Sequence, residues 1–240
     1  MSSTQRPTLR ELARQGLSSV ERGYDLLAPK FDHTPFRTPD AVLEEVGKVL
    51  GELGPFDAGL DVCCGTGAGV GVLRQVCTER VVGVDFSAGM LAAARVSPLP
   101  GGPAVGWVRA DARALPFRQG FDLAVSFGAF GHFLPAERPA LFTEVRQALR
   151  PGGLFAFPVP APARVGSRLY WALWGFDAAM RIRNLVWRPR FVMYYRTFKL
   201  PDVLRELAAA GFETELTALP ALGRRPDGSP RCRLVVARRV

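Results

Sequence analysis

Three alternating glycines at residues 65–69 are the first feature of the sequence whose type and spacing suggest chemistry. The segment Leu60-Asp-Val-Cys-Cys-Gly-Thr-Gly-Ala-Gly69 places them between an apolar run and a stretch with helical spacing that starts near Val70. Such a turn lets the backbone approach a ligand closely and directs the amides of a helix N-terminus towards it. The dinucleotide fingerprint G-x-G-x-x-G is absent in every frame, because valines stand where the last glycine would be.

Acidic residues follow three successive apolar runs. Asp61 lies beside the glycine loop, where it would repel a pyrophosphate but suits a ligand with an ammonium and a sulfonium group, which favours S-adenosylmethionine over NAD. Asp85 ends the run Val81-Val-Gly-Val-Asp85 and stands where α/β cofactor domains bind ribose hydroxyls. Asp111, after the third run, is a candidate acceptor for an adenine amino group. Two structural roles stay open: a loop-bonding carboxylate for Asp61 and a helix cap for Asp85.

The elements that must position these residues alternate between short apolar runs and stretches with helical periodicity. This alternation predicts β-α-β units and a mostly parallel sheet. Seven strands are expected near residues 58–63, 80–84, 104–109, 121–126, 153–158, 213–219 and 232–239. Helices are expected over 9–27 and 39–50, from 70, from 87, from 139 to a stop at 151–153, and from 201 to 211.

The bulk composition bounds the class of protein. With 240 residues, 48% hydrophobic content and a mean hydropathy of +0.09, the chain can bury a full core. No run of eighteen apolar residues occurs and residues 1–7 lack an apolar signal core, so we expect a cytoplasmic protein without a spanning helix. Four cysteines without a C-x-x-C pair, and only two histidines, predict no metal site.

The net charge of +9 is the other bulk feature with functional meaning. Clustered basic groups favour a nucleic acid or an anionic membrane as partner. Most of the 31 basic residues are arginines spread over the whole length, which indicates a bias in composition rather than a binding patch. We therefore expect no nucleic-acid partner, while peripheral contact with a membrane stays open and the sequence predicts no oligomeric state.

Five segments occur in an order that resembles one known family, the class I S-adenosylmethionine-dependent methyltransferases. They are Leu60-Asp-Val-Cys-Cys-Gly-Thr-Gly67, Val82-Gly-Val-Asp-Phe-Ser-Ala-Gly-Met-Leu91, Asp111-Ala-Arg-Ala-Leu-Pro-Phe117, Phe121-Asp-Leu-Ala-Val-Ser126 and Ala148-Leu-Arg-Pro-Gly-Gly153. The segment from Tyr24 to Asp32 is similar to the N-terminal motif that folds over the cofactor and acceptor in many relatives. The nearest similarity is to quinone-biosynthesis C-methyltransferases, from which this chain departs at 127–133 and 157–162.

The resemblance implies a fold, a cofactor and a set of site residues. The implied fold is an α/β, Rossmann-like seven-stranded sheet, mostly parallel with an antiparallel last strand and helices on both faces. The implied cofactor is S-adenosylmethionine. Its methionine part would contact Asp61, Cys64, Gly65, Gly67 and Ser126, its ribose Asp85, its adenine Phe86, Asp111 and Ala112, and Tyr24 would close over it.

The resemblance also predicts how the chain is organised. One methyltransferase domain would span residues 1–240: an N-terminal helical cap over 1–55, a cofactor-binding core over 56–158, an acceptor lid over 159–199, and a C-terminal helix and strands over 200–240. Methyl transfer is an in-line displacement that needs a base only if the acceptor loses a proton. His132, just past the fourth strand, is the candidate base, with His33 as a second candidate and a packed histidine as the alternative.

The predicted lid indicates the class of acceptor. Its rings are Tyr170, Trp171, Trp174, Phe176, Trp187, Phe191, Tyr194 and Tyr195. They favour a small hydrophobic or aromatic acceptor, although a lid that packs on its own core would show the same composition. Arginines at 181, 183, 188 and 190 interleave with apolar residues, a pattern that also fits a membrane surface or RNA. An RNA or protein methyltransferase and a non-catalytic S-adenosylmethionine-binding protein are the alternative functions.

Overall fold

The computed structural model describes residues 7–240, so most of the N-terminal segment without a signal core lies outside the described residues. The strands are β1 Phe56–Val62, β2 Cys77–Asp85, β3 Ala104–Arg109, β4 Phe121–Val125, β5 Leu149–Pro160, β6 Phe212–Ala218 and β7 Cys232–Arg239. The helices are α1 Leu9–Gly16, α2 Val20–Leu27, α3 Asp40–Leu53, α4 Ala68–Val76, α5 Ala88–Val96, α6 Arg138–Ala148, α7 Arg168–Val186 and α8 Leu200–Ala209. Short 3-10 helices cover Ala28–His33, Phe130–His132 and Pro220–Leu222.

The seven strands form one sheet in the order β3-β2-β1-β4-β5-β7-β6. Every neighbouring pair from β3 to β5 is parallel, whereas β7 runs antiparallel to both β5 and β6. This confirms the predicted mostly parallel sheet with an antiparallel last strand. The order reverses between β1 and β4, and open α/β sheets form their ligand crevice at such a reversal, at the carboxyl ends of the strands.

Two apolar clusters cover the two faces of the sheet. Along β5, Phe155 and Phe157 belong to one cluster while Leu154 and Ala156 belong to the other, as the alternation of side chains along a strand requires. Helices α6 and α8 pack into the first cluster, and α3 and α4 into the second. Because both faces are covered, the central strands β1 and β4 are buried over most of their length, and this favours their prediction from the sequence.

Two predicted helix boundaries are wrong. The stretch 9–27 forms two helices, because the chain turns at Leu17 and Ser19 caps α2 by accepting a hydrogen bond from the amide of Arg22. Helix α6 does not run to a stop at 151–153 but ends at Ala148. The next residue, Leu149, already pairs with Phe121 of β4, and the proline and glycines form an irregularity inside β5.

Candidate functional site

A cavity of about 230 Å³ lies at the reversal point of the strand order. Its walls come from the glycine loop, the carboxyl ends of β1 and β2, the loops after β3 and β4, and the N-terminal helices. Nine of the predicted site residues line it: Tyr24, Asp61, Cys64, Gly65, Asp85, Phe86, Asp111, Ala112 and His132. The structure therefore brings together side chains from five segments that are far apart in sequence.

Asp61 is the most unusual polar group of the cavity. Its side chain is 1% exposed, and neither carboxylate oxygen has a hydrogen-bond partner among residues 7–240. Burial raises the pKa of this carboxyl well above its usual value, the neighbouring Asp85 adds to the effect, and the backbone amide of Val70, which is near the carboxylate without a hydrogen bond of normal geometry, opposes it. A buried carboxylate without a partner is costly unless a ligand supplies one. An ammonium group with N–H donors and a positive charge fits this position.

Gly69 leaves the space that the Asp61 carboxylate occupies. A Cβ at this position would lie 2.5 Å from Oδ2 of Asp61 and 2.7 Å from Cδ2 of Phe127. We therefore expect Gly69→Ala to displace the carboxylate, to weaken S-adenosylmethionine binding and to lower the free energy of unfolding by about 1–3 kcal/mol. Calorimetric titration and thermal unfolding measure the two effects.

Gly71, on the same helix, provides a matched control for Gly69. A Cβ there would meet only Cδ of Pro100, at an ordinary 3.7 Å. Gly71→Ala should raise the free energy of unfolding by about 0.4–1 kcal/mol, because the unfolded chain loses conformational freedom, and should leave the affinity unchanged. If both variants bound the cofactor as the parent does, the position of the Asp61 carboxylate would not matter for binding.

Asp85 holds the glycine loop and the start of α5 together. Its Oδ2 accepts from the amide of Gly65 at 2.9 Å, and its Oδ1 accepts from the amide of Ser87 at 2.9 Å. Each oxygen keeps a further lone pair for a ligand hydroxyl. The side chain that caps α5 is that of Ser87, which accepts from the amide of Met90. The carboxylate of Asp85 thus lies between two loops, and burial raises its pKa.

Two acidic residues of the N-terminal motif attach α2 and the following 3-10 helix to these loops. Asp25 accepts from the hydroxyl of Ser87 at 2.6 Å and from the amide of Gly89 at 2.8 Å. Asp32 accepts from the hydroxyl of Thr66 at 2.6 Å. Both loops that surround the Asp85 carboxylate are therefore bonded to the N-terminal part of the chain, which closes one side of the cavity.

Asp111 is engaged by a neighbouring cation. The Nε of Arg113 donates to both carboxylate oxygens of Asp111, at 3.0 and 3.1 Å, and Arg113 also pairs with Glu137. The guanidinium holds the pKa of Asp111 below its usual value, so this side chain is a carboxylate at neutral pH. Together with Ala112, it forms the wall of the cavity beside Phe86.

His132 makes a hydrogen bond through each ring nitrogen. Its Nδ1 lies 2.7 Å from the carbonyl oxygen of Val192, and its Nε2 lies 2.7 Å from the hydroxyl of Tyr24. A carbonyl only accepts, so Nδ1 donates, and Nε2 of the neutral ring then accepts from the Tyr24 hydroxyl. Burial lowers the pKa of His132 and raises that of Tyr24, which favours this neutral pair. The Tyr24 oxygen keeps its lone pairs for a ligand.

Three predicted residues lie outside the cavity wall. Gly67 begins α4 with a φ of 93°, a backbone shape that favours glycine, and supports the loop rather than lining the space. Ser126 is buried and donates its hydroxyl to the carbonyl of Val62 at 2.8 Å, so it joins β1 to β4. His33 is exposed and does not line the cavity.

Several residues of the wall were not among the predicted site residues. The main ones are Val20, Phe31, Phe36, Arg37, Thr38, Phe127, Phe133 and Val192. Residues 31–38 form a 3-10 helix and a loop, whose side chains show no periodic pattern. The segment 127–133 carried a signal, since the chain departs there from the quinone-biosynthesis C-methyltransferases that it resembles. No sequence signal indicated Val192, because it bonds to His132 through its backbone carbonyl and not through its side chain.

Comparison with known proteins shows the family of the chain. A family model described as a methyltransferase domain matches residues 60–153, from within β1 to within β5. A demethylmenaquinone methyltransferase from Thermus thermophilus is 31% identical over 192 residues, 76% of this chain and 82% of that protein. The chain spans less than half the length of some other curated relatives, such as a trans-aconitate 2-methyltransferase from Azoarcus, 37% identical over 42% of this chain and 38% of that protein.

The fold is shared with solved structures over nearly the whole chain. The complex of DhpI with SAH matches with a TM-score of 0.65 at 20% identity, covering 97% of this chain and 98% of that chain. The unpartnered Asp61 carboxylate and the carboxylate of Asp85 also fit the ammonium and ribose groups of S-adenosylmethionine. The chain therefore belongs to the class I S-adenosylmethionine-dependent methyltransferases, and S-adenosylmethionine is its cofactor.

Proposed function

We propose that the protein transfers a methyl group from S-adenosylmethionine to a small, apolar or aromatic acceptor that carries a hydroxyl group. The observation that carries this proposal is the pair formed by Tyr24 and His132, which lines the same cavity as the carboxylates of Asp61 and Asp85. A group that can take a proton thus lies in one space with the residues that suit the cofactor. Such an arrangement serves an acceptor that must lose a proton.

We assign the cofactor to the carboxylate-rich part of the cavity. Asp61 would bind the ammonium group, and the free amides at the start of α4 would bind the carboxylate of the same amino-acid part. Asp85 would accept from the ribose hydroxyls, Phe86 would lie on the adenine face, and Asp111 would accept from the adenine amino group. When bound, S-adenosylmethionine supplies a methyl group on a positively charged sulfur.

The rest of the cavity wall favours an apolar acceptor. Its apolar side chains include those of Val20, Phe31, Phe36, Phe127, Phe133 and Val192. Both arginines of the wall are already paired: Arg37 with Asp40, and Arg113 with Asp111 and Glu137. A polyanionic acceptor would have to displace these carboxylates, whereas an uncharged ring would not. The name of the Thermus thermophilus relative, a demethylmenaquinone methyltransferase, supports an apolar ring as the acceptor class.

Tyr24 and His132 would act in sequence on the acceptor proton. The acceptor hydroxyl donates to the Tyr24 oxygen. As the oxygen or ring carbon of the acceptor takes the methyl group, its proton moves to Tyr24, and the proton of Tyr24 moves to Nε2 of His132. The carbonyl of Val192 holds the charged ring that results, because Nδ1 continues to donate to it. His132 is thus the final proton acceptor, and Tyr24 is the group that touches the acceptor.

Each of the four predicted parts of the chain would have a role in this mechanism. The cap over residues 1–55 would contribute Tyr24 and close the cofactor site through Asp25 and Asp32. The lid over 159–199 would contribute Val192 and hold the ring of His132. The core over 56–158 would bind the cofactor, while 200–240 completes the sheet with β6 and β7. Catalysis would then depend on all of these parts.

A methyl-transfer assay with three acceptors tests the proposed class. Purified protein and S-adenosylmethionine labelled in its methyl group are incubated with a 1,4-naphthoquinol, with a tricarboxylic acid, and with RNA. We expect label to move to the quinol, because its ring fits the apolar wall and its hydroxyl can donate to Tyr24. Transfer to the acid or to RNA alone would contradict the proposed acceptor. A folded protein that does not bind S-adenosylmethionine would contradict the enzymatic function.

A further inference from the structure

The outward face of α7 is apolar over most of its length. Trp171, Trp174, Ile182, Leu185 and Val186 are all at least half exposed, and Leu185 and Val186 are 80% and 78% exposed. With 19 residues the helix is about 28 Å long, so these side chains form a stripe rather than a spot. Exposed apolar stripes of this length mark a surface that meets a partner.

The inner face of α7 is fixed to the wall of the cavity. Asn184 donates to the carbonyl of Phe191 and accepts from its amide, while Asp177 accepts from the amides of Tyr195 and Arg196. These bonds seat α7 on the segment that contains Val192, whose carbonyl holds His132. Only the segment 191–196 therefore separates α7 and its apolar stripe from the cavity.

Positive charge surrounds the stripe. Residues 159–199 contain eight basic side chains and one acidic side chain, Asp177, which is buried; this segment supplies seven of the nine net charges of the chain. The basic residues are spread over the chain as expected, and the local excess of positive charge arises because this segment has almost no acidic residues. Arg164 and Arg168 lie at the start of α7, and Arg188 and Arg190 follow its end, all four exposed. Between Trp171 and Val186 the exposed side chains are apolar except that of Arg181, whose guanidinium lies over the ring of Tyr194 at 5.0 Å.

We propose that α7 binds the surface of an anionic lipid membrane and lies in the plane of that surface. Tryptophans and aliphatic side chains would enter the boundary of the acyl chains, and the arginines at both ends would contact the acidic headgroups. Within residues 7–240, no helix is long and apolar enough to span a bilayer, so contact would be peripheral. The membrane would then present an apolar acceptor beside the cavity, a consequence that rests on the proposed function.

The pattern of charge favours lipid over other partners. A second copy of the chain, related by a two-fold axis, would place the arginines at one end of α7 against those at the other end, with no exposed acidic residue on the helix to pair with them. RNA needs cations along the face that follows its phosphates, whereas here most of the exposed cations lie at the ends of α7 and only Arg181 is exposed between them. An anionic bilayer offers both an apolar interior for the exposed apolar side chains and acidic headgroups for the arginines.

Co-sedimentation with vesicles tests the proposal and needs no acceptor. Binding is compared on vesicles of phosphatidylcholine alone and on vesicles with about one-third phosphatidylglycerol, where we expect affinity higher by about tenfold or more. The double variant Ile182→Gln/Val186→Gln should lower affinity for the anionic vesicles by about tenfold or more, since two apolar side chains no longer insert. The triple variant Arg164→Gln/Arg168→Gln/Arg190→Gln should abolish the preference for anionic lipid.

A control variant changes exposed apolar residues elsewhere. Val96→Gln/Leu216→Gln alters side chains on α5 and β6 and should bind vesicles as the parent does. Equal binding of all variants, or a dimer in sedimentation equilibrium that Ile182→Gln/Val186→Gln dissociates, would overturn the proposal, as would retention of RNA but not of vesicles. Calorimetric titration with S-adenosylmethionine should be unchanged in every variant, so failure of membrane binding is distinct from failure of the proposed reaction.

Discussion

Asp85→Asn should weaken S-adenosylmethionine binding by about tenfold or more, equivalent to about 1.4 kcal/mol or more. The carboxylate accepts from the amides of Gly65 and Ser87 and has lone pairs left for two ribose hydroxyls. The amide nitrogen of asparagine cannot accept, so one loop amide and one ribose hydroxyl lose their partner. Calorimetric titration of the parent and the variant measures the effect, and titration with NAD should give no saturable binding to either.

Asp122→Asn provides the control for this prediction. Oδ2 of Asp122 also accepts from two backbone amides, those of Asp57 and Ala58, but at the amino end of β4, away from the cavity. This variant should therefore lose stability without losing affinity for the cofactor. If Asp122→Asn weakened binding as much as Asp85→Asn, the loss would reflect general destabilisation, and the assignment of Asp85 to the ribose would be wrong.

Tyr24→Phe should lower kcat by about a hundredfold or more while the dissociation constant of S-adenosylmethionine stays unchanged. The phenyl ring keeps the packing of Tyr24 against His132, whose ring centre lies 5.1 Å away, but it removes the oxygen between the acceptor and Nε2. Steady-state kinetics with a quinol acceptor measure kcat. Tyr170→Phe, which removes a hydroxyl that bonds to Arg196 outside the cavity, should leave kcat unchanged.

The pH dependence of the parent and of His132→Gln separates proton transfer from a structural role. Only the neutral ring of His132 can take the proton, and burial lowers its pKa from the usual 6.5. The rate should therefore be constant around neutral pH and fall only when the pH drops below 6.5 and the ring becomes protonated. In His132→Gln the rate should be low and should lack this acidic limb. An acidic limb that persists in the variant would assign it to another group.

Most of the fold could be predicted because its strands are buried on both faces. Most residues of β1 and β4 and the second half of β2 are buried, so short apolar runs mark these strands in the sequence. The predicted boundaries were wrong where a tertiary contact decided them. Leu149 leaves α6 because Phe121 of β4 is available for pairing, and no local pattern reports that neighbour.

Site residues could be predicted where their position depends on the strand that contains them and not on a distant segment. Asp61 and Asp85 lie at the carboxyl ends of the apolar runs that form β1 and β2, so the local sequence predicts their place at this end of the sheet. Ser126 was assigned by resemblance, but its hydroxyl finds a nearer acceptor in the carbonyl of Val62. The partners of His132 could not be predicted, because one comes from 108 residues before it and the other is a backbone oxygen 60 residues after it.

In the proposed mechanism, the hydrogen bond between Val192 and His132 would make proton transfer from the acceptor depend on the position of residues 191–196. While the carbonyl of Val192 stays within 2.7 Å of Nδ1, only one tautomer of the ring is allowed, and it is the one that can take a proton from Tyr24. If residues 191–196 move away to admit an acceptor, the ring is free to turn or to change tautomer, and the proton path is broken. The enzyme would then be idle whenever it is open, which protects the cofactor's methyl group from loss to water.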